Sequence, residues 1–434
     1  MQTASKKVVN GWAMYDWANS VYNLVITTSF FPIYFLAVTQ GPDKDGKIEL
    51  FGRTFVNSAL YDYIIAVAYL IVTILYPILT SIADTRGNKK SFMRFFCYMG
   101  AFGCSSLFFF ESQTLAIGII GFMLAAMGYA GSLVFYNAYL PEIAAPEDRD
   151  RISAKGFSYG YLGSVLMQFV GFGLLIVMTG QEGLATRITF LLVGIWWFGF
   201  AQIPFSRLPK PVIKESVKGN VLKDGFKEMK KVYDQVKHMP VLKRFLRGFF
   251  FYSMGVQTVM LAATVFGSKV LQLPSEKLII TVVLIQLVAI PGAWGMSKMS
   301  AVYGNLRVLI AIIFFWILIC LAAYYTASLA FQGVNTEYYF YGLAIGVGLV
   351  MGGIQSLSRS TYSKLMPETK DTASFFSYYD ATEKLAVVIG VFSFGFIEDI
   401  TGSMQNSILS LIVFFTIGFV WIYSALQKQK QGAS

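Results

Sequence analysis

Trp12-Ala13-Met14-Tyr15-Asp16-Trp17-Ala18-Asn19-Ser20-Val21-Tyr22-Asn23 opens an apolar run that continues to about Val38. A carboxylate and two amides inside a hydrocarbon-length helix are costly, so they belong against a protein interior or a watery cavity. Asp16, Asn19 and Asn23 fall at i, i+3 and i+7, on one helical face. The stretch therefore predicts a membrane-spanning helix with a polar stripe.

Hydrophobic residues make up 56% of the 434 positions and charged residues only 14%. Soluble domains carry roughly 25% charge, so this composition points to a polytopic helical membrane protein. Residues 1–10 are short and polar, and the first apolar run is too long for a signal peptide and lacks a small-residue cleavage site. The first helix is expected to be retained.

Cys97, Cys104 and Cys320 lie inside apolar runs, and the only histidine, His238, sits in a hydrophilic linker. No metal site, cofactor or Cys/His catalysis is expected. The net charge of +11 is unevenly spread: residues 207–247 hold twelve Lys/Arg against four Asp/Glu, or +8. One basic linker between apolar spans is a membrane-orientation signal, and nucleic acid is not an expected partner.

Runs long enough to cross about 30 Å of hydrocarbon occur near 11–38, 58–83, 91–111, 115–140, 152–179 and 186–206. Six more follow, near 243–268, 277–298, 306–327, 338–366, 374–398 and 405–427. With a cytoplasmic N-terminus, the outer loops hold only Lys44, Lys47, Arg53, Arg187, Lys269 and Lys277 of the 35 basic residues. Both termini are therefore expected in the cytoplasm. The expected organisation is a six-helix bundle at 1–206, a basic cytoplasmic linker at 207–242 and a second six-helix bundle at 243–434. The longest outer loop, 39–57, contains the turn cluster Gly41-Pro42-Asp43-Lys44-Asp45-Gly46 and no visible chemistry. In the linker, Leu222, Phe226, Met229, Tyr233 and Val236 recur at helical spacing among lysines. That pattern reads as an amphipathic helix on membrane lipid, or as a plain tether between bundles.

Two internal echoes support a duplicated architecture. Gly87-Asn88 after the second span is echoed by Gly304-Asn305 after the eighth, 217 residues on. Pro146-Glu147-Asp148-Arg149-Asp150 after the fourth is echoed by Pro367-Glu368-Thr369-Lys370-Asp371 after the tenth, 221 residues on. Spans 3, 6, 9 and 12 are also the greasiest, which predicts that every third helix faces lipid and the others surround a polar interior.

Twelve spans in two halves, a basic central linker and Asp84-Thr85-Arg86-Gly87-Asn88-Lys89-Lys90 together resemble the major facilitator superfamily. Asp84, Gly87 and Lys89 match its inner-loop signature, while Thr80 and Thr85 depart from it. More specifically, Tyr15-Asp16-Trp17-Ala18-Asn19-Ser20, Tyr136-Asn137-Ala138-Tyr139-Leu140-Pro141-Glu142, Ser153-Ala154-Lys155-Gly156, Ser358-Arg359-Ser360 and Tyr379-Asp380 resemble the vacuole-effluxer (autophagy-related permease) family. The resemblance covers essentially the whole chain. It implies a major facilitator fold and, from the family's fungal members, amino-acid efflux from the vacuole, while bacterial members have largely unassigned substrates. For this chain, efflux or exchange of small polar metabolites, amino acids first, in a bacterial inner membrane is the expectation.

Counting about 1.5 Å per residue from the inner ends, Asp16 lies roughly 8 Å deep, Arg359 and Asp380 roughly 10 Å and Lys384 roughly 16 Å. Asp380 and Lys384 stand at i, i+4, and Glu383 lies about 100° round the helix. Three acids against two bases read first as a gate that pairs the two halves, and second as a proton-coupling group. Asp16 and Arg359 are the expected partners across the halves. Asn19, Tyr22, Asn23, Asn137, Gln168, Gln257, Gln286 and Gln355, with Arg359 and Lys384, form the candidate substrate-binding set. The alternative for each amide is an interhelical hydrogen bond. Tyr159, Tyr161 and Trp294 are candidate cavity linings or plain packing. Asp84, Arg86, Glu142, Arg149 and Arg151 read as an inner-loop charge network, and Asp16, Arg359, Asp380, Glu383 and Lys384 complete the coupling or gating candidates.

The expected activity is alternating-access transport of a small polar molecule, with protons as candidate coupling ion and a central site between the halves. No Gly-x-x-x-x-Gly-Lys-Ser/Thr occurs, so ATP-driven transport is not expected. The rivals are a sugar or drug carrier of the same fold and a non-transporting membrane scaffold or sensor. A membrane-embedded enzyme lacks any visible nucleophile, base or metal constellation.

Overall fold

The computed structural model describes residues 2–40, 47–50, 52–209 and 221–433. Its first helix, α1 (Lys6–Val38), is one continuous rod in three parts. It is α-helical over Lys6–Val21, widens to a π-helix over Tyr22–Phe30 and returns to α over Phe31–Val38. A hairpin follows, β1 (Lys47–Leu50) antiparallel to β2 (Arg53–Val56), with Gly52 at φ 71° in its turn. This hairpin was not foreseen in the outer loop, and the 41–46 turn cluster lies outside the described residues.

The remaining first-half helices are α2 (Asn57–Arg86), α3 (Lys89–Ser106), α4 (Leu115–Ala138), α5 (Arg149–Val177) and α6 (Glu182–Arg207). The linker helix α7 (Val221–Lys237) precedes α8 (Pro240–Lys269), α9 (Ser275–Tyr303) and α10 (Asn305–Phe331). The chain closes with α11 (Glu337–Leu365), α12 (Thr372–Thr401) and α13 (Met404–Ala433). Among the described residues, eleven helices are long and apolar enough to cross a membrane. The twelfth expected span, α12, is 30 residues long but carries Asp380, Glu383, Lys384, Glu398 and Asp399. Those charges mark it as the span with the most polar work to do.

The tight turn between α3 and α4 is made by Leu107–Phe109 and Ser112–Thr114, closed by a capping box between Glu111 and Thr114. Of the apolar face expected on α7, Val236 is buried and Tyr233 is 53% exposed, while Val232 takes a buried position instead. The side chains of Leu222, Phe226 and Met229 lie outside the described residues. Large exposed apolar side chains run along α3, α6, α10 and α13, as expected, but also along α2 (Tyr63, Val67, Leu70, Ile74) and α12 (Leu385, Ile389, Phe392, Phe396). Apolar exposure is thus not confined to every third helix.

The chain packs as two compact units. The first comprises Lys6–Asn137 and Tyr159–Gly225, and the second Met1–Ser5, Ala138–Ser158 and Phe226–Ser434. Within each, glycine lets helices approach closely without a favourable water-exclusion force. In the first, a Cβ on Gly128 of α4 would collide with the Gly100 backbone of α3. In the second, a Cβ on Gly348 of α11 would stand 2.7 Å from the Ile285 carbonyl of α9, and one on Gly352 would collide with the Ala289 carbonyl. Gly342, on the same helix, meets nothing within 4 Å.

Candidate functional site

In the first unit the opening stripe is held by an aromatic clamp. Trp12 stacks on Tyr136 of α4 with ring centroids 4.5 Å apart, and its indole N–H donates to the Tyr136 carbonyl at 3.0 Å. The clamp aims the Tyr136 hydroxyl at Asp16, to whose carboxylate it donates at 2.7 Å. Asp16 is 4% exposed, so this charge-assisted bond offsets part of the cost of burying it. Asn19 is fully buried, and neither atom of its amide has a protein hydrogen-bond partner. Asn23 is half-buried in the π segment. Tyr22 packs among Phe122, Tyr129 and Trp197 with its hydroxyl unpartnered.

Gln168 of α5 is fully buried and donates to the Leu24 carbonyl at 3.0 Å and to Ser29 Oγ at 3.1 Å. Its amide nitrogen is thus engaged by α1. Asn137 is 5% exposed. Asp84 is buried with Lys89 Nζ at 3.9 Å, and Arg86 is exposed. Tyr161 is buried and Tyr159 half-buried, whereas Trp294, in the second unit, is 43% exposed.

The second unit contains two polar clusters. One joins the 138–158 segment to α9, α10 and α11. Asp150, 3% exposed, accepts from Lys364 Nζ at 2.6 Å, Ser300 Oγ at 2.7 Å and Asn305 Nδ2 at 2.7 Å. Beside it Arg149 donates to the Ser363 carbonyl and to the carbonyls of Ala144 and Pro141. Arg359 donates through Nε and Nη2 to the hydroxyl and carbonyl of Ser153, both at 2.9 Å, and lies 4.2 Å from the Phe157 ring centroid. Glu142 accepts from the Thr372 hydroxyl at 2.6 Å. Arg151, by contrast, pairs with Asp148 in the open. The N-terminal residues join this cluster: Ala4 N–H donates to the Ile143 carbonyl, and the Thr3 hydroxyl donates to Asp148 and accepts from Ala145 N–H.

The second cluster joins α8 to α12. Lys384 Nζ donates to Glu383 at 2.8 Å, and Gln257 Nε2 donates to the other Glu383 oxygen at 3.3 Å. Lys384 is buried, while Gln257, Gln355 and Glu383 are half-buried. Asp380 is 2% exposed. Nearby on α8 and α11, Tyr252 and Ser358 share a hydrogen bond of 2.6 Å, and Tyr379 stacks on Phe249. Gln286 is buried with its carbonyl oxygen unpartnered. Among the described residues no group of His, Cys, Asp and Glu could hold a metal ion.

Sequence reasoning did not name Asp150, Lys364, Asn305 or Ser300 as site candidates, and Ser153 entered only within a family motif. The signal was nonetheless present in the echoes. Asp150 ends the first copy of one echo, Asn305 belongs to the second copy of the other, and the fold brings the two into contact.

The family description "Vacuole effluxer Atg22 like" matches residues 4–433. A Bacillus subtilis MFS-type transporter, YxiO, is 29% identical over 95% of this chain and 94% of its own. Autophagy-related protein 22 of Eremothecium gossypii is 25% identical over 99% of this chain and 92% of its own. Among solved structures, the human organic anion transporter MFSD10 aligns with TM-score 0.73 at 13% identity, covering 96% of this chain and 99% of its own. The E. coli fucose:proton symporter FucP aligns with TM-score 0.67 at 12% identity, covering 96% and 97%. The fold is thus the twelve-helix major facilitator fold, in an integral multi-pass membrane protein, and the chain belongs to the vacuole effluxer Atg22-like family of MFS-type transporters.

Proposed function

We propose that the protein moves small zwitterionic metabolites, amino acids first, by alternating access of two six-span halves, 1–206 and 243–434. The observation that carries this reading is the Glu383–Lys384 ion pair with Gln257 on spans of the second unit. Charges inside a span are expensive and are retained for function. A carboxylate beside an ammonium is self-complementary to a zwitterion: the cargo's ammonium takes Glu383 and its carboxylate takes Lys384, so no net charge is added to a low-dielectric site. Gln257 and Gln355 supply neutral donors and acceptors. The proposed inner gate is the 138–158 contact, where Asp150, Arg149, Arg359 and Glu142 meet α9 to α12 through bonds that water can replace one by one. Asp16, held by Tyr136, is the proposed proton-coupling carboxylate.

The bacterial inner membrane with both termini cytoplasmic is the proposed setting, because Lys and Arg are concentrated in the inner loops and linker. Purified protein in liposomes tests the cargo. Counterflow of labelled neutral amino acids should be lost in Glu383→Gln and in Lys384→Gln, and competed by unlabelled zwitterions but not by sugars. Counterflow unchanged in both variants would sink the zwitterion site. Competition by sugars alone would favour the sugar-carrier reading, and no flux of any candidate under any gradient would favour a scaffold or sensor. Asp16→Asn should abolish gradient-driven flux and spare exchange; if both persist, coupling lies elsewhere.

A further inference from the structure

Helix α1 changes its hydrogen-bonding pitch between Tyr22 and Phe30, and the reason can be followed carbonyl by carbonyl. The Phe31 N–H reaches the Ile26 carbonyl, five residues back. The next amide in that ladder belongs to residue 32, which is proline and has no N–H. The Thr27 carbonyl is therefore orphaned by its own helix: Phe31 is committed to Ile26, and Pro32 has nothing to donate. The hydroxyl of Tyr61, on α2, fills the vacancy at 3.0 Å.

At the other end the Leu24 carbonyl accepts from Thr28 Oγ1 at 2.8 Å, Ser29 Oγ at 2.9 Å and Gln168 Nε2 at 3.0 Å. Two neighbouring helices thus hold the π segment, α2 at Thr27 and α5 at Leu24. Extended π-helix is rare and is seen mainly as single turns, often at functional sites. A run of nine residues therefore calls for outside support. Each turn that relaxed to α would slide one part of the span against the other by one residue, about 100° and 1.5 Å.

We propose that Gln168 and Tyr61 are positioning residues that hold α1 in the π register and so set the direction in which Asn23 faces. Neither touches cargo; both act through backbone carbonyls of α1. The consequence for transport rests on the reading that Asn19 and Asn23 face cargo, whereas the register itself does not. Gln168 thereby moves from the candidate binding set to a supporting role.

The test places a reporter at Asn23→Cys, half-buried in the π register. Cys97, Cys104 and Cys320 are buried and stay silent to a water-soluble maleimide. In this background Gln168→Met and Tyr61→Phe should each change the labelling rate by about fivefold, the population shift that loss of one ordinary hydrogen bond allows. Adding Pro32→Ala to Tyr61→Phe returns an N–H to residue 32, which can donate to Thr27, so the rate should return to within about twofold of the Asn23→Cys parent. Tyr61→Phe deletes a single hydroxyl and serves if Gln168→Met does not fold. Labelling unmoved by Tyr61→Phe, or moved but not restored by Pro32→Ala, overturns the proposal.

With Asn23 intact, Gln168→Met should raise the KM of amino-acid counterflow and leave its maximal rate within about twofold, the mark of lost uniform binding. If labelling follows the pattern and KM does not move, the register stands and the assignment of Asn23 to cargo fails. If labelling does not move, the register proposal fails whatever the flux.

Discussion

Removing the Asp150 carboxylate by Asp150→Ala is the most direct test of how the 138–158 segment is held. The Asp150 side chain is 4% exposed and that of Lys364 25% exposed, so the pair is buried on the acid side and partly hydrated on the basic side. Truncating one partner of a buried ion pair costs about 3–5 kcal/mol, largely because the other charge is left unpaired. Lys364 can turn to water, which places Asp150→Ala near the lower end, about 3 kcal/mol. Lys364→Met leaves the carboxylate with Ser300 and Asn305 and should cost less, about 2 kcal/mol, the value of one charge-assisted bond.

The double variant then separates pairing from mere proximity. Once Asp150 is gone Lys364 has no buried carboxylate to serve, so the pair should cost about 3 kcal/mol together rather than 5, a coupling of about 2 kcal/mol. SDS-titrated unfolding of purified protein, followed by far-ultraviolet circular dichroism, measures all three variants on one scale. Additive costs would refute the pairing argument, as would an Asp150→Ala penalty below about 0.5 kcal/mol, the level of an ordinary surface substitution.

Three further outcomes follow from packing and chemistry. Gly352→Leu should unfold or strongly destabilise the α9 and α11 contact, because its side chain meets the Ala289 backbone, while Gly342→Leu should be tolerated; equal effects in the same unfolding assay would contradict the close-packing account. Tyr136→Phe keeps the Trp12 stack but removes the hydroxyl that donates to Asp16 at 2.7 Å, and should cost about 1–3 kcal/mol, against no change if water replaces it freely. Arg359→Lys should fail to replace arginine, since a point charge can neither hold both Ser153 oxygens nor spread over Phe157; wild-type stability and counterflow in that variant would refute the role of the planar group.

How far the site was legible from sequence differs residue by residue. Asp16 stood out because a carboxylate in a long apolar run has no cheap explanation, and the structure indeed buries it on a hydrogen bond. Glu383 and Lys384 were legible on the same ground, but their pairing was not. An i, i+4 pattern favoured Asp380 as the lysine's partner, whereas the long lysine stem also reaches its neighbour Glu383 at 2.8 Å. Asp150 was overlooked because it sits in a short charged segment where acids are ordinarily solvated. Its burial depends on Ser300, Asn305 and Lys364, between 150 and 214 positions away.

Periodicity and composition, both local properties, were enough for the twelve spans and their order, because a helix in hydrocarbon must satisfy its backbone internally and be about 20 apolar residues long. The family came instead from the resemblance of short motifs such as Tyr15–Ser20 and Tyr136–Glu142. The π segment of α1 shows where local reading stops. Pro32 announces a missing donor at one position, but whether the helix kinks, breaks or widens depends on which neighbours offer hydrogen bonds. Here Tyr61 and Gln168 do so from other helices. The register of the first span, the partners of its polar stripe and the seating of 138–158 against α9 to α12 all rest on contacts between residues far apart in the chain, which no window along the sequence contains.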